Sequence, residues 1–524
     1  MAVSNGSWSV GDADQEEAAR KEFEIWPLDE SNVKLLNQVH PRTYKSTDEP
    51  PEVYDLIAIG AGAGGLVSSK QAGRRGAKSA MISEKLAGGD CLNVGCVPSK
   101  ALIRSARAMK EVSRAAEFGI HLENVKLDFG AVMKRVRELR AKIAPVDGHE
   151  ATEAAGTNVF QGRGRLTGPN TLEVNGQTLR FKVCVLATGG RPAVPKNIPG
   201  LLGAPYTTNE QLFNLQELPP RMVILGAGVI ALEMAQSFAL LGSKVTVVNR
   251  SSRLFASKGG DAEAAEILQN ELEKDGVIFL SDATVSQVET IKGSADPSSF
   301  PLMKIKVADQ ELDCECLLVA TGRAANIEDL GLEAAGVDFV PGKGISVNDF
   351  GQSVSNPSVY AVGDCVANVP RLTHMSGEMA KVVVQNGLAG DEWRLSSFVV
   401  PAVAYTEPEF ATVGIMSQEQ ADKEGIEVDV YRAGLEHNDR AILESSNVGF
   451  VKIVTKKDSD EILGATIVAD RAGDIINEIS LAMKEKIGLR SLGRNIHSYP
   501  TTGEAVQGCG LQFINKSWTR FDQV

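Results

Sequence analysis

Two cysteines, Cys91 and Cys96, stand five residues apart in Gly88-Gly89-Asp90-Cys91-Leu92-Asn93-Val94-Gly95-Cys96-Val97-Pro98-Ser99-Lys100. A close thiol pair of this kind points to dithiol–disulfide chemistry. On a regular helix such positions lie roughly 8 to 9 Å apart at Cα, beyond the ~7 Å limit for a disulfide. A bridge therefore requires a distorted segment, and Gly95 supplies the backbone freedom for it. A helix beginning around Cys96 carries Lys100 one turn further along. Both a helix start and a nearby ammonium favour a thiolate. The other cysteines, Cys184, Cys314, Cys316, Cys365 and Cys509, read as packing positions, with Cys314 and Cys316 on one strand approaching Ala320. No histidine or further cysteine gathers around them, so no metal site is expected.

The elements that must position this pair announce themselves on its N-terminal side. Tyr54 to Ile59 is a short apolar run, followed by Gly60-Ala61-Gly62-Ala63-Gly64-Gly65, a helical stretch to Arg75, a stop at Gly76 and a second run from Ser79 to Ile82. This is a βαβ unit opening with G-x-G-x-x-G. The glycines Gly60, Gly62 and Gly65 allow a tight turn, close approach of backbone to a pyrophosphate and packing of helix on strand. The unit recurs: Met222 to Leu225, then Gly226-Ala227-Gly228-Val229-Ile230-Ala231, a helix to Leu241, a stop at Gly242 and a strand from Val245 to Val248. Gly226, Gly228 and Ala231 repeat the fingerprint. Two dinucleotides are implied, and with a cysteine pair beside the first they suit passage of a hydride from a nicotinamide to a flavin and on to sulfur.

With those motifs in hand, the chain resembles the pyridine nucleotide-disulfide oxidoreductases, the family of dihydrolipoamide dehydrogenase, glutathione reductase and mercuric reductase. Further marks fall in the family's order: Ala187-Thr188-Gly189-Gly190, Ala320-Thr321-Gly322-Arg323 and Val359-Tyr360-Ala361-Val362-Gly363-Asp364-Cys365. The resemblance covers about residues 51 to 510 and implies an α/β fold with two Rossmann-like domains and a C-terminal α+β dimerisation domain. It assigns residues 51–200 and 322–395 to a discontinuous FAD domain, 201–321 to the NAD(P) domain and 396–524 to the dimer interface, after an acidic extension over 1–50. By the same resemblance Gly164, Thr188, Gly189, Gly322, Arg323 and Asp364 join the cofactor sites, with Asp364 on the flavin's ribitol. Lys100 is similar to the family lysine beside the flavin and pairs with Glu233. Cys96 is the expected thiolate in contact with the flavin, and Cys91 the thiol that meets the acceptor.

Composition agrees. A chain of 524 residues with 43% apolar content and 51 glycines suits a large α/β protein of about three or four domains. The net charge of −13 argues against a nucleic-acid surface. No apolar stretch approaches the ~18 residues of a membrane span. Seven cysteines are too few for a secreted disulfide framework, which points to a reducing, soluble compartment such as cytoplasm or an organelle stroma or matrix. The N-terminal stretch, with Asp12, Asp14, Glu16, Glu17, Glu22 and Glu24, is unlike an arginine-rich transit peptide, and it has no secretory apolar core. Ile291 to Phe300 reads as a surface hairpin loop.

Three departures from the family pattern bear on specificity. The acid that would accept ribose hydroxyls after the second fingerprint is missing; Asn249-Arg250 stands there, and an arginine at that edge suits the 2′-phosphate of NADPH, with NADH the alternative. In the first unit Ser83 occupies the place of the ribose acid, and Glu84, one place later, is the cofactor-binding candidate that would reach the ribose. The third departure is in Asn495-Ile496-His497-Ser498-Tyr499-Pro500-Thr501-Thr502-Gly503-Glu504, where Tyr499 replaces the histidine that disulfide-reducing relatives pair with a glutamate, here Glu504. A tyrosine of pKa ~10 is a poor proton shuttle at neutral pH, and general acid–base help is typically worth ~10² to 10⁴ in rate. His497 stands two residues earlier as a substitute. Mercuric reductases likewise have tyrosine here, and His437-Asn438-Asp439-Arg440-Ala441 also resembles them, but their vicinal C-terminal cysteine pair is absent. The expectation is a homodimeric, NADPH-preferring flavoprotein reducing a soft metal-thiolate. The alternatives are a reductase of disulfides and a low-turnover redox-sensing or assembly flavoprotein.

Overall fold

The computed structural model describes residues 6–256, 259–293, 300–516 and 518. Its first sheet is built on the strand Tyr54–Ile59, parallel to Ser79–Ser83 on one side and to Gln177–Leu186 on the other. The first two are buried on both faces, which explains their near-continuous apolar sequence, while Gln177–Leu186 alternates over its first half and is fully buried only from Val183. The late strand Val359–Ala361 joins the same sheet beside Gln177–Leu186, so chain from both sides of the second fingerprint builds one sheet. That pairing delivers Asp364 to the C-terminal edge of the first βαβ unit, the edge where open α/β sheets bind ligands.

The second unit is a parallel sheet in the order Val277–Leu280, Lys244–Val248, Arg221–Leu225, Cys316–Val319. A three-stranded antiparallel sheet, Val285–Lys292, Leu302–Val307 and Gln310–Cys314, lies against it through a shared core that includes Val223, Leu317, Met303 and Ile305. Cys314 and Cys316 were expected on one strand and are on two: the chain turns at Glu315, whose carboxylate pairs with Arg221. The hairpin expected over 291–300 is framed by antiparallel strands, and its tip, 294–299, lies outside the described residues. The C-terminal part carries a five-stranded antiparallel sheet, Ala402–Ala404, Glu409–Gly414, Ile462–Ala469, Phe450–Lys456 and Val428–Gly434, covered by the helices Ala472–Lys484 and Glu504–Lys516.

Residues 6–50 of the N-terminal extension form a folded element. Asp12 and Asp29 accept backbone N–H groups of Gln15 and Asn32 and cap the helices Ala13–Phe23 and Glu30–Val39. The acidic residues singled out in the sequence thus partly serve helix starts. The opposite faces bury Ala19, Leu35, Leu36 and Val39 with Trp8, Ile25 and Leu28 against Ala61, Leu66, Met81, Leu86, Ala87 and Leu92 of the first fingerprint unit and the cysteine loop. Among the described residues no helix is long and apolar enough to cross a membrane.

Candidate functional site

The cysteine segment is broken where the thiol spacing demands it. A short helix, Gly89–Asn93, ends at Val94; Gly95 takes the unusual φ −133°, ψ −115°; and a long helix starts afresh at Cys96 and runs to Arg114. A Cβ on Gly95 would lie 2.7 Å from the Asp90 carbonyl oxygen, so the break needs glycine. Both cysteines are free thiols here, Cys96 exposed and Cys91 partly buried. Cys96 Sγ lies 3.3 Å from the hydroxyl of Thr373, at the start of the helix Thr373–Val384.

The two sulfurs are electrostatically unlike. The neighbouring Cys91 thiol, the Thr373 hydroxyl and the Lys100 charge together draw the Cys96 thiol below the ordinary thiol range, against burial. Cys91, beside Cys96 and half-desolvated, is pushed up. Cys96 is therefore the thiolate of the pair. Lys100, one turn into the helix, places Nζ 2.9 Å from Oε2 and 3.1 Å from Oε1 of Glu233, which is buried in the second fingerprint helix Val229–Leu240. The Glu233 carboxylate also accepts the Tyr405 backbone N–H at 2.9 Å, and the Tyr405 ring covers Lys100 Nζ at 4.4 Å from its centroid. This ammonium is held between a carboxylate and an aromatic face.

The cofactor-binding candidates form two cradles. Gly62 and Gly228 start the two fingerprint helices with no side-chain cap, leaving their first N–H groups open to an anion. Gly60, at φ +112°, and Gly65 are needed for the turn itself, since a Cβ on either would strike backbone at 2.3 Å and 1.8 Å. A Cβ on Gly189, Gly228 or Gly322 would meet nothing within 4 Å, so these glycines face free space. Ala231 is buried behind the second turn. Thr188 donates its hydroxyl to the Asn326 carbonyl at 2.6 Å, and Arg323 bridges Asp364, at 2.9 Å, to Asp90. Uncapped helix starts, open glycines and a carboxylate at the sheet edge fit the two phosphates and the polyol of FAD, and the second cradle fits a nicotinamide dinucleotide.

Other candidates have more local roles. Gly164 is buried against Ile82 and Ile59, where a Cβ would come within 3.1 Å of Ile82. Glu84 is half-exposed and 3.4 Å from Arg163, while Ser83 is buried and bonded to His149 and the Lys85 carbonyl. Asn249 is turned inward, its amide accepting from Ser251 N–H and donating to the Arg253 carbonyl. Arg250 is exposed and forms no ion pair among the described residues, whereas Arg253 is committed to Glu419 and the Gly260 carbonyl.

Tyr499 and Glu504 are not joined to the cysteine pair by any hydrogen bond within the chain. Tyr499 is 71% exposed and donates its hydroxyl to Asp439 at 2.8 Å, a bond that moves its ionisation further up. Glu504 accepts the Thr501 backbone N–H at 3.1 Å, and His497 pairs with Glu478 at 3.2 Å. Thr373 and Tyr405 escaped the sequence reading; each stands far along the chain from the residue it touches, and no local pattern marks either.

Comparison with known proteins agrees with this geometry. The family profile described as pyridine nucleotide-disulphide oxidoreductase matches residues 54–380, and that family's dimerisation domain matches 400–508. A mercuric reductase of Lysinibacillus sphaericus is 31% identical over 93% of this chain and 85% of its own length. A dihydrolipoyl dehydrogenase of Chlamydia muridarum is 32% identical over 86% of this chain and 95% of its own. In fold the chain is similar to the flavoprotein disulfide reductase RclA of Escherichia coli, at TM-score 0.77 and 24% identity over 87% of this chain and 99% of that one. It is also similar to LpdA of Mycobacterium tuberculosis, at TM-score 0.78 and 24% identity over 88% and 99%. The chain belongs to the pyridine nucleotide-disulphide oxidoreductase family, whose members bind FAD and use NAD(P)H.

Proposed function

We propose that this protein takes electrons from NADPH and delivers them, through the Cys91/Cys96 pair, to a soft metal bound as a thiolate complex, Hg(II) being the type case. FAD, when bound in the first cradle, supplies hydride acceptance and electron delivery to sulfur. The chain's own residues do the rest. Lys100, clamped by Glu233 and Tyr405, places a positive charge one turn from Cys96. The Cys96 thiolate and the Cys91 thiol offer a soft cation two sulfur ligands, and Hg(II) exchanges readily onto thiolates. Exposed Arg250 suits the 2′-phosphate of NADPH. The 396–524 part supplies the homodimer interface, and the domain boundaries given above stand as part of the proposal.

The observation that carries this reading is at Tyr499. A disulfide reductase needs a proton for the leaving thiolate, and here the group before the proline is a tyrosine tied to Asp439, with Glu504 satisfied by backbone. Delivery of two electrons to a metal ion needs no such relay, and the Tyr499 hydroxyl serves instead to help hold the metal-thiolate complex. One observation favours the disulfide-reductase alternative: His497 and Glu478 form an imidazole–carboxylate pair two residues upstream, and that pair has the composition of a proton relay.

The test is anaerobic oxidation of NADPH, beside NADH, with a mercuric–thiolate complex, glutathione disulfide or lipoamide as acceptor. The expected result is turnover with the metal complex and a preference for NADPH. Turnover confined to a disulfide would overturn the metal reading and move the proton role to His497. Flavin reduction with no acceptor turnover would favour a sensing role.

A further inference from the structure

Arg140, on the helix Phe129–Ile143, is fully buried, and among the described residues no carboxylate pairs with it. Burial of a guanidinium without a counter-ion is costly unless neutral acceptors hold it. Two do. Nη1 donates to the Asn93 carbonyl at 2.8 Å, and Nη2 donates to Asn32 Oδ1 at 2.9 Å. Nε is buried with no partner among the described residues, so these two contacts define the group's position.

Both acceptors matter by location. Asn93 lies between the two cysteines, at the last turn of Gly89–Asn93, immediately before the break at Val94 and Gly95. Its side chain folds back on the same loop, donating to the carbonyls of Ala87 at 3.0 Å and Gly89 at 2.8 Å. Asn32 belongs to the second N-terminal helix and is itself fully buried. It is fixed by donation to the Pro27 carbonyl at 2.7 Å and by the Asp29 cap, whose other oxygen accepts from Arg137 at 2.7 Å. A continuous set of buried hydrogen bonds thus runs from the N-terminal segment to the peptide that separates the thiols.

We propose that Arg140, held by Asn32 of the N-terminal segment, is a positioning residue for the redox pair: its hold on the Asn93 carbonyl fixes the helix break and hence the approach of Cys91 to Cys96. The dithiol form holds two free sulfurs, with Cys96 bonded to the Thr373 hydroxyl, while the disulfide form needs the two sulfurs brought to bonding distance. Each places its own demand on the break, so a rigid anchor there biases the equilibrium between them. The N-terminal segment is on this account part of the redox centre. The inference rests on Cys91 and Cys96 being the redox couple, and the experiment reads that couple directly without any acceptor turnover.

The holoenzyme is equilibrated in dithiothreitol redox buffers, and the Cys91–Cys96 oxidation state is read by alkylation and mass analysis in wild type, Arg140→Met, Arg140→Lys and Asn32→Ala. The expected result is a shift of about tenfold in the thiol–disulfide equilibrium for Arg140→Met, about 30 mV for a two-electron couple. Arg140→Lys, which keeps a donor, recovers most of it, and Asn32→Ala shifts it in the same direction by less. A folded Arg140→Met with the wild-type equilibrium overturns the proposal. If Arg140→Met does not fold, Asn32→Ala decides on the same reading, because it leaves the bond to Asn93 in place and loosens only its support. Absence of exchange at Cys91 and Cys96 in wild type would refute the redox assignment itself, a separate outcome.

Discussion

At the scale of single residues, the division of labour between the two sulfurs follows from their unlike surroundings. Cys96, beside Cys91, the Thr373 hydroxyl and the Lys100 ammonium, has its charged form favoured, and half-desolvated Cys91 has its own disfavoured. The depressed Cys96 is a thiolate to lower pH than an ordinary thiol and is neutralised as pH falls through its lowered value. In the reduced protein, Cys91→Ala removes the neighbour that most lowers Cys96, so the pH midpoint for alkylation of Cys96 moves up toward the ordinary thiol value of about 8.5. Cys91→Ser keeps a polar neighbour and shows a smaller displacement. Lys100→Met displaces the midpoint in the same direction by less, since the Lys100 charge ranks behind the Cys91 thiol and the Thr373 hydroxyl among the influences that lower Cys96. A midpoint that stays put in Cys91→Ala would transfer the depression to the helix start and the ammonium.

Among elements, the N-terminal helix pair changes how the first fingerprint unit is understood. Ala61, Leu66 and Met81 would otherwise present apolar surface to water; instead they share a core with Leu35, Leu36 and Val39. Leu36 is fully buried, and Leu36→Ala should lower the unfolding free energy by about 2–5 kcal/mol, the usual range for a well-packed leucine. Urea unfolding monitored by circular dichroism measures it, and a cost near zero would mean that the segment is not part of the cooperative unit. The sequence disclosed both fingerprints, with the strand Tyr54–Ile59 to the residue, because strand, glycine turn and helix are local and periodic. It disclosed the cysteine break for the same reason: spacing and Gly95 sit in one short segment. It did not disclose the folding of residues 6–50, since acidic composition hides two short amphipathic helices whose partners are distant in sequence. Thr373 and Tyr405 escaped on the same ground, for their contacts span the chain. The single strand expected through Cys314 and Cys316 failed because alternation alone cannot show a chain leaving one sheet for another.

For the whole molecule, the question is how the C-terminal residues reach the cysteines. In one chain Tyr499 points to Asp439, and neither it nor Glu504 bonds to Cys91 or Cys96. The same C-terminal region carries the family's dimerisation domain and leaves Leu443, Leu481 and Ile496 exposed at 70%, 60% and 92%. Apolar side chains exposed to this degree on an element family members use for association are what a self-complementary interface would cover. The expected arrangement in a homodimer is two sites, each drawing cysteines from one protomer and the Tyr499 segment from the other. Hybrid dimers of a Cys91→Ser protomer with a Tyr499→Phe protomer distinguish the arrangements. If the segment acts across the interface, one site in each hybrid unites intact cysteines with an intact tyrosine, and activity exceeds that of either parent homodimer. If Tyr499 acts within its own chain, each hybrid holds no intact site and mixing restores nothing. Recovery of activity on mixing is the expected result, measured with the acceptor that the NADPH oxidation assay identifies.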